Sequence, residues 1–515
     1  MYLNRKLYAK QSFLFFFHSR IMSNLVVETT TPKGYKLKLQ TGLFINNQFV
    51  KGSDTIDTVN PATGKVICAV QAAEAKDVDA AVEAAEAAFQ GPWKNMPALQ
   101  RAALMHKLAD LIDRDNEELA QIETLDNGKG ITFSRLFDAK QIAISLRYFA
   151  GFADKVHGKV IDTEGCLSYT RHEPIGVCGA IIPWNFPLMM LGWKLGPALA
   201  TGNTIVVKTS EMTPLSALKV AQLVIEAGFP PGVINIITGY GAKAGDALAR
   251  HMKVAKIAFT GSTLVGRMVM KAAAESNLKK VTLELGGKSP NIIFDDADLD
   301  QAVRWAHKGI FFNHGQCCCA GSRVYVQESI YDEFLKRFKE YTSKTKLGDP
   351  HDDDTFQGPQ ISQTQFERIM GYIESGKKEG ATCYMGGQRW GNEGYYIEPT
   401  VFTDVRQDMK IVQEEIFGPV VTVSKFKDID DVVHMALDTE YGLAAAVFTQ
   451  NTARAVDISN RLQAGTVWIN CYNELDYNTP FGGFRQSGIG RENGEYALDN
   501  YIQVKTVKIN INRQP

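Results

Sequence analysis

From residue 175 to residue 287 the chain alternates short apolar runs with longer amphipathic ones, and few folds satisfy that pattern. "IGVCGAII" (175–182), "NTIVVK" (203–208), "VINIIT" (233–238), "KIAFTG" (256–261) and "KVTLELGG" (280–287) all have strand length, and their apolar character is that of strands covered on both faces. Helix-like stretches separate them. In the best punctuated one, Thr213 is placed to cap, Pro214 fits the first turn, "LSALKVAQLVIEA" supplies the apolar face, and Gly228 followed by Pro230 and Pro231 ends the helix. Strand, helix, strand at this spacing predicts an α/β fold with a doubly wound, mostly parallel sheet.

A second α/β series starts after Gly287, with "SPNIIF" and "SRVYVQ" as strands and "LDQAVRWAHKGIFFN" as the helix between them. At 515 residues the chain exceeds what one core accommodates, so separate units are expected. "GCLSYTRHE" (165–173) and "YIQVKTVKIN" (501–510) read as half-exposed strands outside both series. Such edges are usually paired or covered, which predicts a small third unit available for subunit contact.

The formal net charge of −1, with 22% charged residues, gives no electrostatic reason to expect nucleic acid or a membrane surface as partner. A small-molecule protein is expected. The first 24 residues carry Arg5, Lys6, Lys10 and Arg20 and no acid, a charge pattern found in mitochondrial presequences. The apolar run from Phe13 to Phe17 is too short for a secretory core or a membrane span. Two readings stand: a targeting segment for the mitochondrial matrix, or an extension ahead of Met22 in a cytoplasmic protein.

Eight cysteines in 515 residues, without paired zinc spacing, indicate free thiols in a reducing compartment. Three of them, Cys317, Cys318 and Cys319, are adjacent in "NHGQCCCAGSR", in the turn between a helix and a buried strand. Consecutive side chains diverge, which disfavours convergence on one metal, and a vicinal disulfide is strained. What remains is either buried packing or a nucleophile, and the residues alone do not choose among the three sulfurs. Glu284 ends a buried strand, where desolvation would raise its pKa toward the range of a general base. Asn185, in "IIPWNFPL", is a neutral donor between aromatics. "TGYGAKAG" and "FTGSTLVG" follow strands but lack the dinucleotide fingerprint; the "GST" turn is the better anion site.

Seven motifs in order, "TGLFINNQFV", "ETLDNGK", "PWNFP", "LELGGKSPN", "GQCCCAGSR", "EEIFGPV" and "PFGGFRQSGIGRE", resemble the aldehyde dehydrogenase superfamily, especially its broad-specificity NAD-linked branch. The resemblance covers all but about the first forty residues. It implies a chain divided into an N-terminal extension (1–40), an NAD-binding domain (41–155 and 175–286), oligomerisation strands (156–174 and 487–515) and a catalytic domain (287–486). It assigns Cys318 as nucleophile, Glu284 as general base, and Asn185 with the Cys318 backbone N–H as oxyanion donors. Lys208 and Glu211 match residues that hold the adenosine ribose, and Glu415 and Phe417 those beside the nicotinamide ribose. Ile182, Pro183, Trp184, Gly241, Gly261, Ser262 and Gly286 fall along the cofactor, which is NAD, with NADP admitted.

Phe186, Met190, Trp193 and Phe481 match the apolar wall of the family's aldehyde tunnel. The implied reaction oxidises a small aldehyde such as acetaldehyde to its acid through a cysteine thioester, in a homotetramer or homodimer. Acidic residues in "NELDYN" (473–478) keep open an amino- or betaine aldehyde instead. A catalytically silent binding protein on the same fold would have lost the thiol, base or amide, and all three are present. Two positions depart from the pattern: Leu264, where relatives often carry an acid, and His314, where they often carry Gln.

Overall fold

The computed structural model describes residues 25–511. An eight-stranded sheet runs in the order Gly488–Ile489, Lys280–Glu284, Val254–Thr260, Val177–Ile181, Thr204–Thr209, Ile234–Thr238, Leu43–Ile45 and Gln48–Val50. The five central strands are parallel and the edge strands antiparallel. All five apolar runs of the first series contain strands, and within the runs the strand residues are buried on both faces as expected except at Lys280 and Val281, which open the last of them. Val206 packs with Val78, Val82 and Ile257 on one side, while its neighbours Ile205 and Val207 join Leu191, Leu195 and Leu218 on the other. Successive strand side chains point to opposite faces, so a run apolar at every position needs helices on both.

The helix Pro187–Ala200 begins with proline in its first turn and is buried along its whole length. Gly192 lets it cross the helix Ala139–Ala150 closely: a Cβ there would lie 2.8 Å from the Ile142 Cα. The helix Leu215–Ala227 ends at Gly228 in the left-handed region, as expected. Its start differs from expectation. Thr213 does not cap it; the Leu215 N–H donates to Asp126 Oδ2 at 3.1 Å, and the Thr213 hydroxyl lies 3.5 Å from the Trp184 carbonyl. A buried carboxylate from a distant helix has taken the place of the local hydroxyl.

The second sheet has seven strands in the order Thr382–Met385, Thr400–Thr403, Val420–Phe426, Arg323–Gln327, Pro290–Ile293, Ala444–Phe448 and Thr466–Ile469, parallel except at the first pair. A third sheet pairs Ile502–Asn510 with Cys166–Pro174 and the latter with Val160–Thr163, all antiparallel. Its two edge strands leave Val160, Ile161, Val504 and Ile509 exposed.

Two boundaries are corrected. Residues 26–40, placed by sequence in the N-terminal extension, are folded onto the body of the protein: Val26–Thr30 and Lys36–Gln40 form a hairpin whose Leu37 and Leu39 are buried against Val70 and Ile122. Gly488–Ile489, grouped by sequence with the C-terminal strands, instead extends the first sheet beside Leu283 and Glu284. The presequence-like segment and the choice between Met1 and Met22 lie outside the described residues. No helix among the described residues is long and apolar enough to cross a membrane.

Candidate active site

The strand Lys280–Glu284 ends at the glycine pair 286–287, through which the chain passes from the first sheet to the second. The cavity formed there, about 1050 Å³ with its open mouth, is lined by Asn185, Glu284 and all three triplet cysteines. These come from three distant segments. The helix Leu299–Phe311 delivers the triplet through Asn313, His314 and Gly315, all at positive φ. Gly315 is required: a Cβ there would lie 2.0 Å from the Gly418 carbonyl oxygen.

Hydrogen bonds fix this turn to Asn185. The Asn185 Nδ2 donates to the Gln316 carbonyl at 3.0 Å, and the Asn313 Nδ2 donates to the Asn185 and Gln316 carbonyls at 3.0 and 3.2 Å. The Tyr472 hydroxyl donates to the Cys319 carbonyl at 2.6 Å. Sequence reasoning missed Asn313 and Tyr472; the only local signal was a polar residue between an apolar helix and the cysteines.

The eight cysteines are free. Cys317 and Cys319 are buried, with their sulfurs 3.5 Å apart, and the Cys319 thiol donates to Asn473 Oδ1 at 3.2 Å. Cys318 alone of the three is partly exposed. Contact with Cys317 together with burial pushes its thiol above the ordinary range, while contacts with Cys318 and Cys319 favour an anion on Cys317. A negative charge on one sulfur disfavours a second on its neighbours, so proton affinity does not rank the three. Access does.

Glu284 is buried, and its Oε2 has no hydrogen-bond partner. Burial first, and then the nearby Glu492 carboxylate, hold its pKa well above the ordinary carboxyl value. Glu492 is itself paired with buried Lys194. An unpartnered acid in a cavity wall costs stability that a purely structural role would not require.

Of the residues expected along the cofactor, Pro183, Trp184, Gly261, Ser262, Gly286, Glu415 and Phe417 line the cavity, and Ile182, Lys208, Glu211 and Gly241 do not. The latter four lie at the carboxyl ends of Val177–Ile181, Thr204–Thr209 and Ile234–Thr238, the edge at which open α/β sheets bind ligands. The Lys208 Nζ donates to Glu211 Oε2 at 3.1 Å.

The construction fits a dinucleotide. The Thr260 hydroxyl is buried without a partner, and Ser262 caps the following helix Thr263–Glu275. Gly286 leaves room where a Cβ would strike Glu415 Oε2 at 2.2 Å, and nothing lies within 4 Å of one built on Gly241. Arg368, which sequence reasoning missed, brings a cation to the wall, suited to an anionic phosphate. Burial raises the Glu415 carboxyl to about 8.

A family pattern described as the aldehyde dehydrogenase family matches residues 49–507. The chain belongs to the aldehyde dehydrogenase family. It is 62% identical over 489 residues to an aldehyde dehydrogenase of Emericella nidulans, covering 94% of this chain and 98% of the relative. Against the mitochondrial aldehyde dehydrogenase of Rattus norvegicus, identity is 56% over 474 residues, 91% of each chain. The NAD+ complex of a Bacillus cereus aldehyde dehydrogenase superposes with a TM-score of 0.90 at 51% identity, covering 92% of this chain and 96% of that one. This aldehyde dehydrogenase is thus an NAD(P)-dependent oxidoreductase with a mixed α/β fold.

Phe186, Met190, Trp193 and Phe481, expected as the aldehyde wall, line the same cavity, joined by Phe137, Met189, Phe312 and Leu475, which sequence reasoning missed. Phe186 and Phe312 stack at 5.9 Å, Phe137 meets Phe312 edge-on at 5.6 Å, and Trp193 lies 5.6 Å from Phe481. Leu264 and His314 lie elsewhere. Leu264 is 68% exposed on its helix. His314 is buried, with Nδ1 2.9 Å from the Pro359 carbonyl and Nε2 accepting from the Gly358 N–H at 3.0 Å. That donor and acceptor pair is what a Gln amide also offers, and burial lowers the His314 pKa to about 3, so the ring is neutral.

Proposed function

We propose that this aldehyde dehydrogenase oxidises small neutral aldehydes, of the size of acetaldehyde, to carboxylic acids through a thioester on Cys318. The observation that carries the proposal is the convergence of one accessible sulfur, an unpartnered buried carboxyl and an amide donor in a single aromatic-walled cavity. In this reading the Cys318 sulfur adds to the aldehyde carbon, and Asn185 Nδ2 with the Cys318 N–H holds the developing oxyanion. Pro183, Trp184, Lys208, Glu211, Ser262, Glu415 and Phe417 would hold NAD, which when bound accepts the hydride. Glu284 then takes a proton from the water that cleaves the thioester.

A neutral substrate is favoured over an amino- or betaine aldehyde because Asn473 and Leu475 line the cavity while the two acids of "NELDYN", Glu474 and Asp476, do not, and Glu474 is paired with Lys308 at 2.7 Å. One steady-state series tests substrate and cofactor choice together. Acetaldehyde and propanal should give higher kcat/KM than betaine aldehyde; the reverse order would overturn the substrate reading. NAD should be preferred to NADP because a 2′-phosphate brings like charge to Glu211. Two unit charges about 4 Å apart at a dielectric near 20 repel by roughly 4 kcal/mol. Glu211 is about one-third exposed and already paired with Lys208, so only part of this is felt. Glu211→Gln should move the NADP to NAD ratio by about tenfold, which is roughly 1.4 kcal/mol. An unmoved ratio would remove Glu211 from the ribose site.

We also propose the four-part division above, with the two boundary corrections, and subunit contact through the three-stranded sheet, whose edges carry exposed Val160, Ile161, Val504 and Ile509. Light scattering should give an oligomer that dissociates when residues 501–515 are removed; a monomeric full chain contradicts this. The compartment is the cytoplasm unless the basic N-terminal segment acts as a presequence; a mitochondrial relative at 56% identity supports that alternative of a matrix protein. Import of a fusion carrying residues 1–24 tests it, and a cytosolic fusion would refute it.

A further inference from the structure

A second cavity, about 1140 Å³ with its open mouth, lies between the helix Leu299–Phe311, the end of the helix Tyr331–Thr342 and the segment 344–356. None of its lining residues belongs to the aldehyde site. Arg304 and Lys308 are four apart and so share one helical face, with Trp305 beside them. Lys344 and Lys346, from the segment after the helix Tyr331–Thr342, line the same cavity.

The charges are not equivalent. Lys346 is paired with Asp354, and Lys308 is paired with Glu474 at 2.7 Å while lying 4.6 Å from the centre of the Trp305 ring. Arg304 and Lys344 are exposed, and neither makes an ion pair or a side-chain hydrogen bond among the described residues. Two cations lining the cavity therefore have no ion-pair partner among the described residues.

The wall below them is aromatic and uncharged. His307 is buried, with Nε2 2.7 Å from the Thr345 hydroxyl and its ring 5.0 Å from Tyr341 and 5.2 Å from Phe356. Burial lowers its pKa to about 4. Trp305 is partly exposed and Tyr341 is exposed beside it. A merely solvated basic face would not need a recess walled by four rings.

We infer that this cavity binds a small planar aromatic phosphate monoester, its ring against Trp305 and Tyr341 and its phosphate between Arg304 and Lys344. A phosphate monoester carries close to two negative charges at neutral pH, matching two unpaired cations, and a guanidinium can grip it with paired hydrogen bonds. A nucleic acid strand is disfavoured, since it would need a stripe of cations beyond one recess.

The test uses the full chain saturated with NAD, so that the cofactor site is filled, and measures binding of 1-naphthyl phosphate by calorimetry. Saturable binding is expected, at least about tenfold tighter than that of inorganic phosphate or 1-naphthol, because both ring and charge contribute. The double variant Arg304→Glu, Lys344→Glu and the single variant Trp305→Ala should each weaken it by about tenfold or more, with aldehyde turnover unchanged. Absence of saturable binding overturns the proposal. So does inorganic phosphate binding as tightly as the aryl ester, or affinity that survives the charge reversal.

Discussion

Replacing Cys318 by Ala should abolish aldehyde oxidation, by at least about a thousandfold in kcat, since loss of a nucleophile removes the covalent route altogether. Cys317→Ala and Cys319→Ala should each retain substantial turnover. All three sulfurs line the cavity, so proximity does not separate them. The difference is that Cys317 and Cys319 are 6% and 1% exposed and their sulfurs are turned to one another, with Cys319 also donating to Asn473. Removing either flanking sulfur deletes about a methyl-sized volume from the core, worth about 1 kcal/mol of stability. Cys319→Ala also frees Asn473 Oδ1, so a changed KM is compatible with that variant and a lost nucleophile is not. The measurement is kcat on folded protein, with far-UV spectra and thermal midpoints as controls. Equal collapse in all three folded variants would take the role from Cys318.

The second large effect is expected at Glu284. Glu284→Gln should slow thioester hydrolysis by about two to four orders of magnitude, the range for loss of a positioned general base, while leaving the first turnover of cofactor reduction much less affected. A burst of reduced cofactor followed by a slow steady state is the signature. The pH dependence has a definite sign. Burial and Glu492 raise the Glu284 pKa, so the carboxyl keeps its proton to higher pH, and a protonated acid accepts nothing from water. Hydrolysis of the preformed thioester should therefore rise with pH as Glu284 ionises, and Glu284→Gln should lack that limb. The preformed thioester is the right species to follow because its sulfur is acylated and does not titrate. A flat profile in the unmutated enzyme, or the same rising limb in the variant, would assign the base elsewhere. The Lys194–Glu492 pair behind Glu284 bears on the same number: it fixes a negative and a positive charge near the base in a region without solvent, where such interactions are strong.

Much of this was legible because burial leaves a local trace. A strand covered on both faces is apolar at every position, which is why 175–182 and 203–208 could be read at once. Gly228 is the residue that a left-handed helix end selects, and φ there is 89°. Glu284 stood out because an acid at the end of such a strand is costly. The motif order pointed to the middle cysteine, which composition and spacing could not choose.

Other features have no local trace. Thr213 was a suitable cap by sequence, and Asp126, 89 residues away, took the Leu215 N–H instead. Residues 26–40 have too little apolar content to announce a core, yet Leu37 and Leu39 find one under the helix Asn116–Asn127. His314 sat next to the triplet and turned away from the cavity, because the left-handed turn at 313–315 points it at Gly358 and Pro359. Phe137 and Arg368 entered the cavity from segments whose sequence marks them only as helix residues.

The sequence by itself determined the parallel strands of the first series, where the cysteines sit between helix and sheet, and that a buried acid ends the strand before them, because each follows from periodicity or from the cost of local burial. Only the tertiary structure decided that Cys318 is the reachable sulfur, that Asn185 is tied to the cysteine turn through Asn313 and Gln316, and that a second, aromatic-walled cavity carries two unpaired cations. These depend on hydrogen bonds and contacts between residues more than a hundred positions apart, or on how two helices and a loop enclose space, and neither is written in any short stretch of chain.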